Sequence, residues 1–561
     1  ETAVALAALA SGVALAAPMG QDGNPMFGLQ HVVGGIAIAL VGYVVFTKIL
    51  SPSKTEPPEE EEPKGNFIKV DAGDIRGYKR GTMQEIDVPG EKQKILVTRL
   101  LEGNVFATGA KCTHSAVRLV TGVVSEDRVV CPAHAASFCV RDGSVTDAPA
   151  FDGLHTFDLD IVDEHIIVYV PSPMPEFKKA RACSCNSNAA PSTIVVVGAG
   201  AAGLSAVETL REEKFDGRII LIGKEKHLPY DRVKISKSLK ASVESMTLRK
   251  KEFFDDAKIE LMLDTTVTKL NASAKNLVTD KGETISYDKV LLCTGGTAEV
   301  PWMTGIPGYN QDGIHILRVP EDSKKVDEKI TAIGSDKIRV VIIGSSFIGM
   351  EAAAYFKQTS KIEDVTVVGK EEVAFERVLG KDIGQALMNM HSEKGVKFEM
   401  NAGVVSFDGK DGHVTSIKLD NGKVLPADLV IIGAGIVIPS EYVKDNTGIE
   451  VFRDGSIICD DKMMAAKDVY VAGDMARFKL WMIEKHTRIE HWDVAIQQGK
   501  IAALNMVEKN AIYRSTPFFW TAQFGKSVRY CGHALQWSEQ IVKGSLEERK
   551  FAVYFIDNDK V

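Results

Sequence analysis

A chain of 561 residues, 45% hydrophobic and 25% charged, has the composition of globular protein and enough length for several separate cores. Its net charge of -8, with no long basic run, excludes an electrostatic footprint for nucleic acid. Eight cysteines over this length are too few for a disulfide framework.

The first 50 residues are apolar and begin at Glu1 without a methionine, the mark of a removed presequence or a missing start. Gly23 to Thr47 carries no charged residue, and HVVGGIAIALVGYVVFTKIL is long enough to cross a ~30 Å hydrocarbon layer, so one transmembrane helix is expected here. Gly35 and Ala39, four apart, allow a close helix neighbour. Lys48 and Lys54 follow the span, which puts the rest of the chain on a matrix or cytoplasmic side. The acidic, proline-containing residues 51–64 read as a solvated tether.

Residues 65–170 alternate short β-rich runs (KILVTRL, NVFATG, HIIVYV) with turn residues and predict a small all-β domain. Inside it CTHSAVRL and CPAHAAS set out two pairs, Cys112/His114 and Cys131/His134, with sixteen residues between His114 and Cys131. Two thiolates and two imidazoles suit a tetrahedral zinc or the two irons of a Rieske [2Fe-2S] cluster, and the spacing alone leaves both open. C-x-H, then C-P-x-H, within a β domain resembles the Rieske ferredoxin pattern. That resemblance implies glycine soon after each histidine, where turns need positive φ and backbone amides approach the cluster; Ala116 and Ala135 stand there instead, so an emptied relic remains the alternative. Cys139 lies too far along to bridge the loops, and Ala136 replaces the expected hydroxyl. By the same resemblance the cluster is of the lower-potential ferredoxin kind.

Residues 171–191 form a linker with two thiols, Cys183 and Cys185, read as linker cysteines with a redox pair as the alternative. TIVVVGAGAAGLSAVETL then runs a buried strand through Gly198, Gly200 and Gly203 into a helix, the arrangement that brings a pyrophosphate to a helix N-terminus. After the strand RIILIG, Glu225, beside Lys224, is the carboxylate expected on the adenosine ribose. A second unit, RVVIIGSSFIGMEAAAYF, carries Gly344 and Gly349 but Ser346 in the middle; after VTVV stands Gly369 followed by Lys370 rather than an acid. A lysine there tolerates a 2'-phosphate and admits NADPH; the alternative is weakened or lost nicotinamide binding.

HLPYDRVKISKSL, YDKVLLCTGG and DVYVAGDMARF, in this order, resemble the FAD-dependent pyridine-nucleotide reductases related to ferredoxin reductases and apoptosis-inducing factor. With the β domain in front, the chain resembles the Rieske-containing, apoptosis-inducing-factor-like branch. The resemblance implies that Asp474 binds the ribityl chain, that Thr294 and Gly295 turn beneath the cofactor, and that Arg232 and Lys237 lie near the flavin. It also implies that Glu351 pairs with Lys237 beside N5. Glu490, His491 and Trp492 (RIEHWDVAIQQG) are expected near the nicotinamide or isoalloxazine, and Trp520 in the interface domain.

The expected fold is multidomain. A transmembrane helix and the Rieske domain precede an α/β reductase with FAD-binding parts at 192–320 and 426–510, where LVIIGAG returns the chain to the FAD domain. Its NAD(P)-binding domain takes 321–425, and an incomplete α+β interface domain takes 511–561. The expected activity is electron flow from NAD(P)H through FAD to the [2Fe-2S] cluster and on to an unknown acceptor at a membrane, with the mitochondrial inner membrane implied by the resemblance. The competing expectation is an accessory subunit of a larger membrane redox complex that holds FAD or the cluster and catalyses little.

Overall fold

A computed structural model describes residues 66–183, 185, 192–298 and 301–557. The expected span, the acidic tether and most of the second half of the linker lie outside these residues; among the described residues no helix is long and apolar enough to cross a membrane.

Ile68–Val561 is one compact unit. Its first part is the expected β module, a six-stranded antiparallel sheet in the order Phe67–Asp74, His165–Pro171, Thr156–Val162, Val105–Gly109, Lys94–Arg99, Thr82–Asp87. A second, four-stranded meander runs Val123–Ser125, Arg128–Val130, Ser137–Cys139, Val145–Asp147. Alternation builds the first sheet: in His165–Pro171 the residues Ile166, Val168 and Val170 are fully buried, while the intervening side chains face outward.

The FAD-type sheet is ordered Ile259–Met262, Arg218–Ile222, Thr193–Val197, Lys289–Leu292, Val469–Val471, with Met464–Ala466 antiparallel at its edge. Its central strands read as continuous apolar runs because both faces are covered. The second sheet runs Ile314–Ile316, Leu429–Ile432, Ile338–Ile343, Ile362–Val368, Val396–Glu399. This corrects the expected boundaries. LVII of LVIIGAG pairs with Ile314–Ile316 and Ile338–Ile343, so it closes the NAD-type sheet, and the return to the FAD-type domain follows it. Buried parallel strands look alike in both domains, and only the pairing tells them apart. The expected α+β interface domain is described in its β part. After helix Trp492–Met506 the described residues form two β-hairpins, Phe518–Gln523 with Lys526–Cys531 and Glu539–Ser545 with Lys550–Ile556, and no helix.

The β module is docked on the reductase by a core and an ionic clasp. Ala148 and Phe151 enter the core of the FAD-type domain. Beside them Arg249 joins Asp152 of the module (2.7 Å) to Glu208 of helix Ala201–Glu212 (2.8 Å). Arg181 of the linker binds Glu208 (3.3 Å) and Glu212 (3.0 Å). The Glu208 side chain is 0% exposed, and burial raises its pKa against the pull of both arginines. Removing one partner of such a group leaves a buried charge uncompensated. Arg249→Ala is therefore expected to cost about 3 kcal/mol, read as a fall in the denaturation midpoint of the full chain.

Candidate functional site

The two ligand loops are built alike. Cys112 N–H donates to Val117 O and Ala116 N–H to Cys112 O (both 2.8 Å); Cys131 N–H donates to Ala136 O (2.8 Å) and Ala135 N–H to Cys131 O (3.1 Å). Each loop closes through a left-handed residue, Ala116 at φ 54° and Ala135 at φ 61°. The turns do need positive φ, and alanine bears it in both.

The loops bring His114 and His134 together with their Nδ1 atoms 3.0 Å apart. That is the separation of two imidazoles on one metal at ~2.1 Å each with about 90° between them. Cys112 and Cys131 form the other pair, their thiols hydrogen-bonded to each other. This contact lowers the Cys131 thiol and raises that of Cys112, and the N–H groups of Ala133 and His134 and the charge of Arg529 add to the lowering at Cys131. Amides of His114 and Ser115 point at Cys112 in the same way. Burial first, then neighbouring positive charge, lowers His114 to about 3 and His134 to about 4, so both rings are neutral, the form that binds metal. Among the described residues no three histidine, cysteine or carboxylate side chains converge on a single ion position. One tetrahedral zinc needs all its donors around one point, whereas a sulfur pair and a nitrogen pair suit two irons.

The two glycine loops also repeat each other. Gly198 and Gly344 have φ 123° and 114°, and a Cβ on Gly203 or Gly349 would lie 1.9 Å from the carbonyl oxygen of Gly198 or Gly344. A Cβ on Gly200 would meet nothing within 4 Å, and no side chain caps the helix that starts there, so its N–H groups face space that admits a pyrophosphate. Ser346 has the backbone of Gly200 (φ -98°, ψ -164° against -90°, -161°), so its CH2OH occupies the matching space.

Glu225 accepts from Tyr230 OH and Arg232 (both 2.6 Å), and Arg232 also donates to Arg318 O (2.5 Å), so Arg232 belongs to the Glu225 end. Gly295 (φ 65°) lies where a Cβ would be 3.3 Å from Arg318 and 3.8 Å from Asp474, and Arg318 binds Asp474 at 3.4 Å. Thr294 Oγ1 donates to Met475 Sδ. Glu490 pairs with Arg488 (2.6 Å), and burial, with the charge of Asp474, raises its pKa. His491, lowered to about 3 by burial, packs on Phe519 (4.8 Å); Trp492 opens the following helix. The buried His491 Nδ1 has no partner within the protein, which leaves it for a bound group.

Lys237 Nζ bridges Glu351 at 2.8 and 2.9 Å, the pair expected from the resemblance. Sequence reasoning missed three residues around these. Arg318 comes from a segment with no motif, and Thr521 (Oγ1 to Glu351 Oε1, 2.6 Å) stands next to Trp520, the one residue of its segment that the resemblance named. The third, Glu371, accepts from Ser345 Oγ (3.2 Å) beside the second glycine loop; the signal was the acid two residues beyond Gly369. At Gly369 a carboxylate has no room, since even a Cβ would lie 2.5 Å from Ser345 Oγ. Lys370 lies over the Trp302 ring at 4.9 Å. Cys183 and Cys185 bond to separate backbone carbonyls, of Glu208 and Asp216, and burial pushes Cys183 up to about 12, which makes it inert.

The β module and the reductase meet at these sites. The Trp520 ring lies tilted against His134 (4.3 Å) and edge-on to His114 (5.6 Å), and Arg529 donates to Ala133 O (3.0 Å).

Residues 192–499 match the pyridine nucleotide-disulphide oxidoreductase family, and residues 69–158 match the Rieske [2Fe-2S] domain. The chain belongs to the pyridine nucleotide-disulphide oxidoreductase family. It is an oxidoreductase of FAD and NAD(P)H that also carries a Rieske [2Fe-2S] domain, and the donor sets above fit those groups. It is 36% identical to apoptosis-inducing factor 3 of Homo sapiens over 495 residues, 87% of this chain and 80% of that protein. Among solved structures it resembles the ferredoxin reductase for the CYP199A2 system from Rhodopseudomonas palustris, with TM-score 0.61 and 28% identity over 65% of this chain and 89% of that one. The covalent putidaredoxin reductase-putidaredoxin complex matches at TM-score 0.61 and 27% identity over 67% of this chain and 88% of that one.

A left-handed alanine costs about 1 kcal/mol that glycine avoids. Ala116→Gly and Ala135→Gly are each expected to raise stability by about 0.5–1 kcal/mol and to slow loss of the cluster's visible absorbance on heating.

Proposed function

We propose that this chain passes electrons from NAD(P)H through FAD to its own Rieske cluster, and from there to a separate one-electron acceptor, while anchored to a membrane by Gly23–Thr47. The observation that carries this reading is the contact of Trp520 with both ligand histidines, made from the strand whose next residue bonds Glu351. The putidaredoxin reductase structure was solved with putidaredoxin joined to it; here the iron-sulfur domain is part of the same polypeptide and rests on the reductase.

When bound, FAD accepts a hydride from NAD(P)H and releases electrons singly, and the cluster carries one electron at a time. The protein's part is to hold and orient. The Gly198–Gly203 turn receives the flavin pyrophosphate at a helix N-terminus, and Glu225 takes ribose hydroxyls. Asp474, steadied by Arg318, takes the ribityl hydroxyls above Thr294 and Gly295. Lys237, held by Glu351, would offer a bound flavin a positive charge, which favours the anionic reduced form. Phe347 and His491, both packed on Phe519, wall the nicotinamide side against water, with Glu490 and Trp492 flanking. Glu371 supplies the carboxylate that Gly369 lacks. Cys112, Cys131, His114 and His134 would hold the cluster, and Trp520 covers the edge of the two histidines.

The second reading, an accessory subunit that keeps FAD and the cluster but catalyses little, draws on Ser346 in the pyrophosphate space. Anaerobic NAD(P)H separates the two. The purified protein is expected to lose flavin absorbance and then develop the EPR signal of a reduced Rieske centre; bound flavin that stays oxidised would sink the reductase reading. Lys237→Met is expected to slow flavin bleaching about a hundredfold. Deleting residues 1–50 is expected to move the protein from carbonate-resistant membranes to the soluble fraction, and mitochondrial fractionation tests the inner membrane as the site.

A further inference from the structure

Glu351 lies 5% exposed with all its acceptor positions engaged: Ser236 Oγ donates to Oε2 at 2.5 Å, Thr521 Oγ1 to Oε1 at 2.6 Å, and Lys237 Nζ reaches both oxygens. An ionised carboxylate only accepts, so the Thr521 hydroxyl must be the donor. Its lone pair therefore receives the Gln523 Nε2 amide hydrogen, 3.0 Å away. That turns the Gln523 carbonyl toward His391, whose Nε2 is 2.7 Å from Oε1 and must carry the hydrogen. His391 is 0% exposed, its Nδ1 has no partner, and burial lowers its pKa to about 4, which keeps the ring neutral. Every donor in the series His391, Gln523, Thr521 thus points toward Glu351. Aligned hydrogen bonds of this kind polarise one another and favour the anion at their end. The titratable groups around the carboxylate are Lys237, from the segment after the turn Arg232–Lys234, and His391, three hydrogen bonds away on helix Lys381–Glu393.

We propose that Thr521 is a positioning residue for Glu351, held in its donating orientation by Gln523 and His391, so that the strand seated on the cluster ligands also fixes the carboxylate that holds Lys237. The inference rests on the reading that Lys237 and Glu351 face the bound flavin. Successive side chains of Phe518–Gln523 point to opposite faces. Trp520 therefore meets the ligand histidines while Thr521 and Gln523 meet the Glu351 network. A shift of this strand away from its seat would move both ends at once.

The test uses the holoenzyme, with stopped-flow flavin bleaching by NAD(P)H over a range of nucleotide concentrations. Thr521→Val is expected to slow bleaching about tenfold, the loss of one hydrogen bond to a charged group, with the Kd for NAD(P)H unchanged. Thr521→Ser restores the rate. A Thr521→Val protein with wild-type bleaching overturns the proposal, as does Thr521→Ser behaving like Thr521→Val; Thr521→Ala replaces Thr521→Val should the latter lose FAD. Glu351→Gln separates the two levels. If it bleaches at the wild-type rate, the flavin-side reading fails; if it is slow while Thr521→Val is normal, only the role of Thr521 fails.

Discussion

The arrangement of this protein hangs on one strand, Phe518–Gln523, and on the period of two that any strand imposes on its side chains. Phe519 packs on His491 and Phe347, Trp520 on the two ligand histidines, and Thr521 on Glu351. Two redox sites from different parts of the chain are thereby held against opposite faces of one backbone. Their separation is set by the thickness of a strand and its side chains, with no loop between them that could vary it.

That arrangement needs the β module to stay seated. The linker composition by itself suggests a flexible tether, yet Arg181 within it is drawn into the clasp of Arg249, Glu208 and Asp152. Burying Glu208 carries a desolvation cost, which two guanidinium groups and the adjoining apolar contact of Ala148 and Phe151 offset. A buried charge whose two guanidinium partners come from separate segments restricts how the module can dock, so the clasp acts through specificity more than through net stability.

Much of the reductase was legible because glycine requirements are local. At Gly203 and Gly349 the helix packs so close to its strand that a methyl group would overlap a carbonyl oxygen, and that demand is written into the motif spacing. The repeated conformation survives at Ser346, where nothing but the ligand needed the space. In the cluster loops alanine occupies left-handed backbone, so the absence of glycine did not mean an absence of the turn. The domain boundary at LVIIGAG was not legible, since an apolar four-residue run carries no mark of which sheet it will join. Nor was the carboxylate of Glu371, because a register of two residues beyond a strand changes which side chain faces the glycine loop.

By itself the sequence set out the two cysteine–histidine pairs, the two glycine loops and the pairing of Lys237 with Glu351, because each depends on residue types at short or familiar spacing. Only the tertiary structure decided how the modules meet. It brought Trp520 to histidines that lie some four hundred positions earlier in the chain, set Arg318 beside Asp474, and gave Glu351 the hydroxyl of Thr521. It also set His114 against His134 and Cys112 against Cys131. These are contacts between residues remote in sequence, fixed by packing and by burial of charge, and no local pattern encodes them.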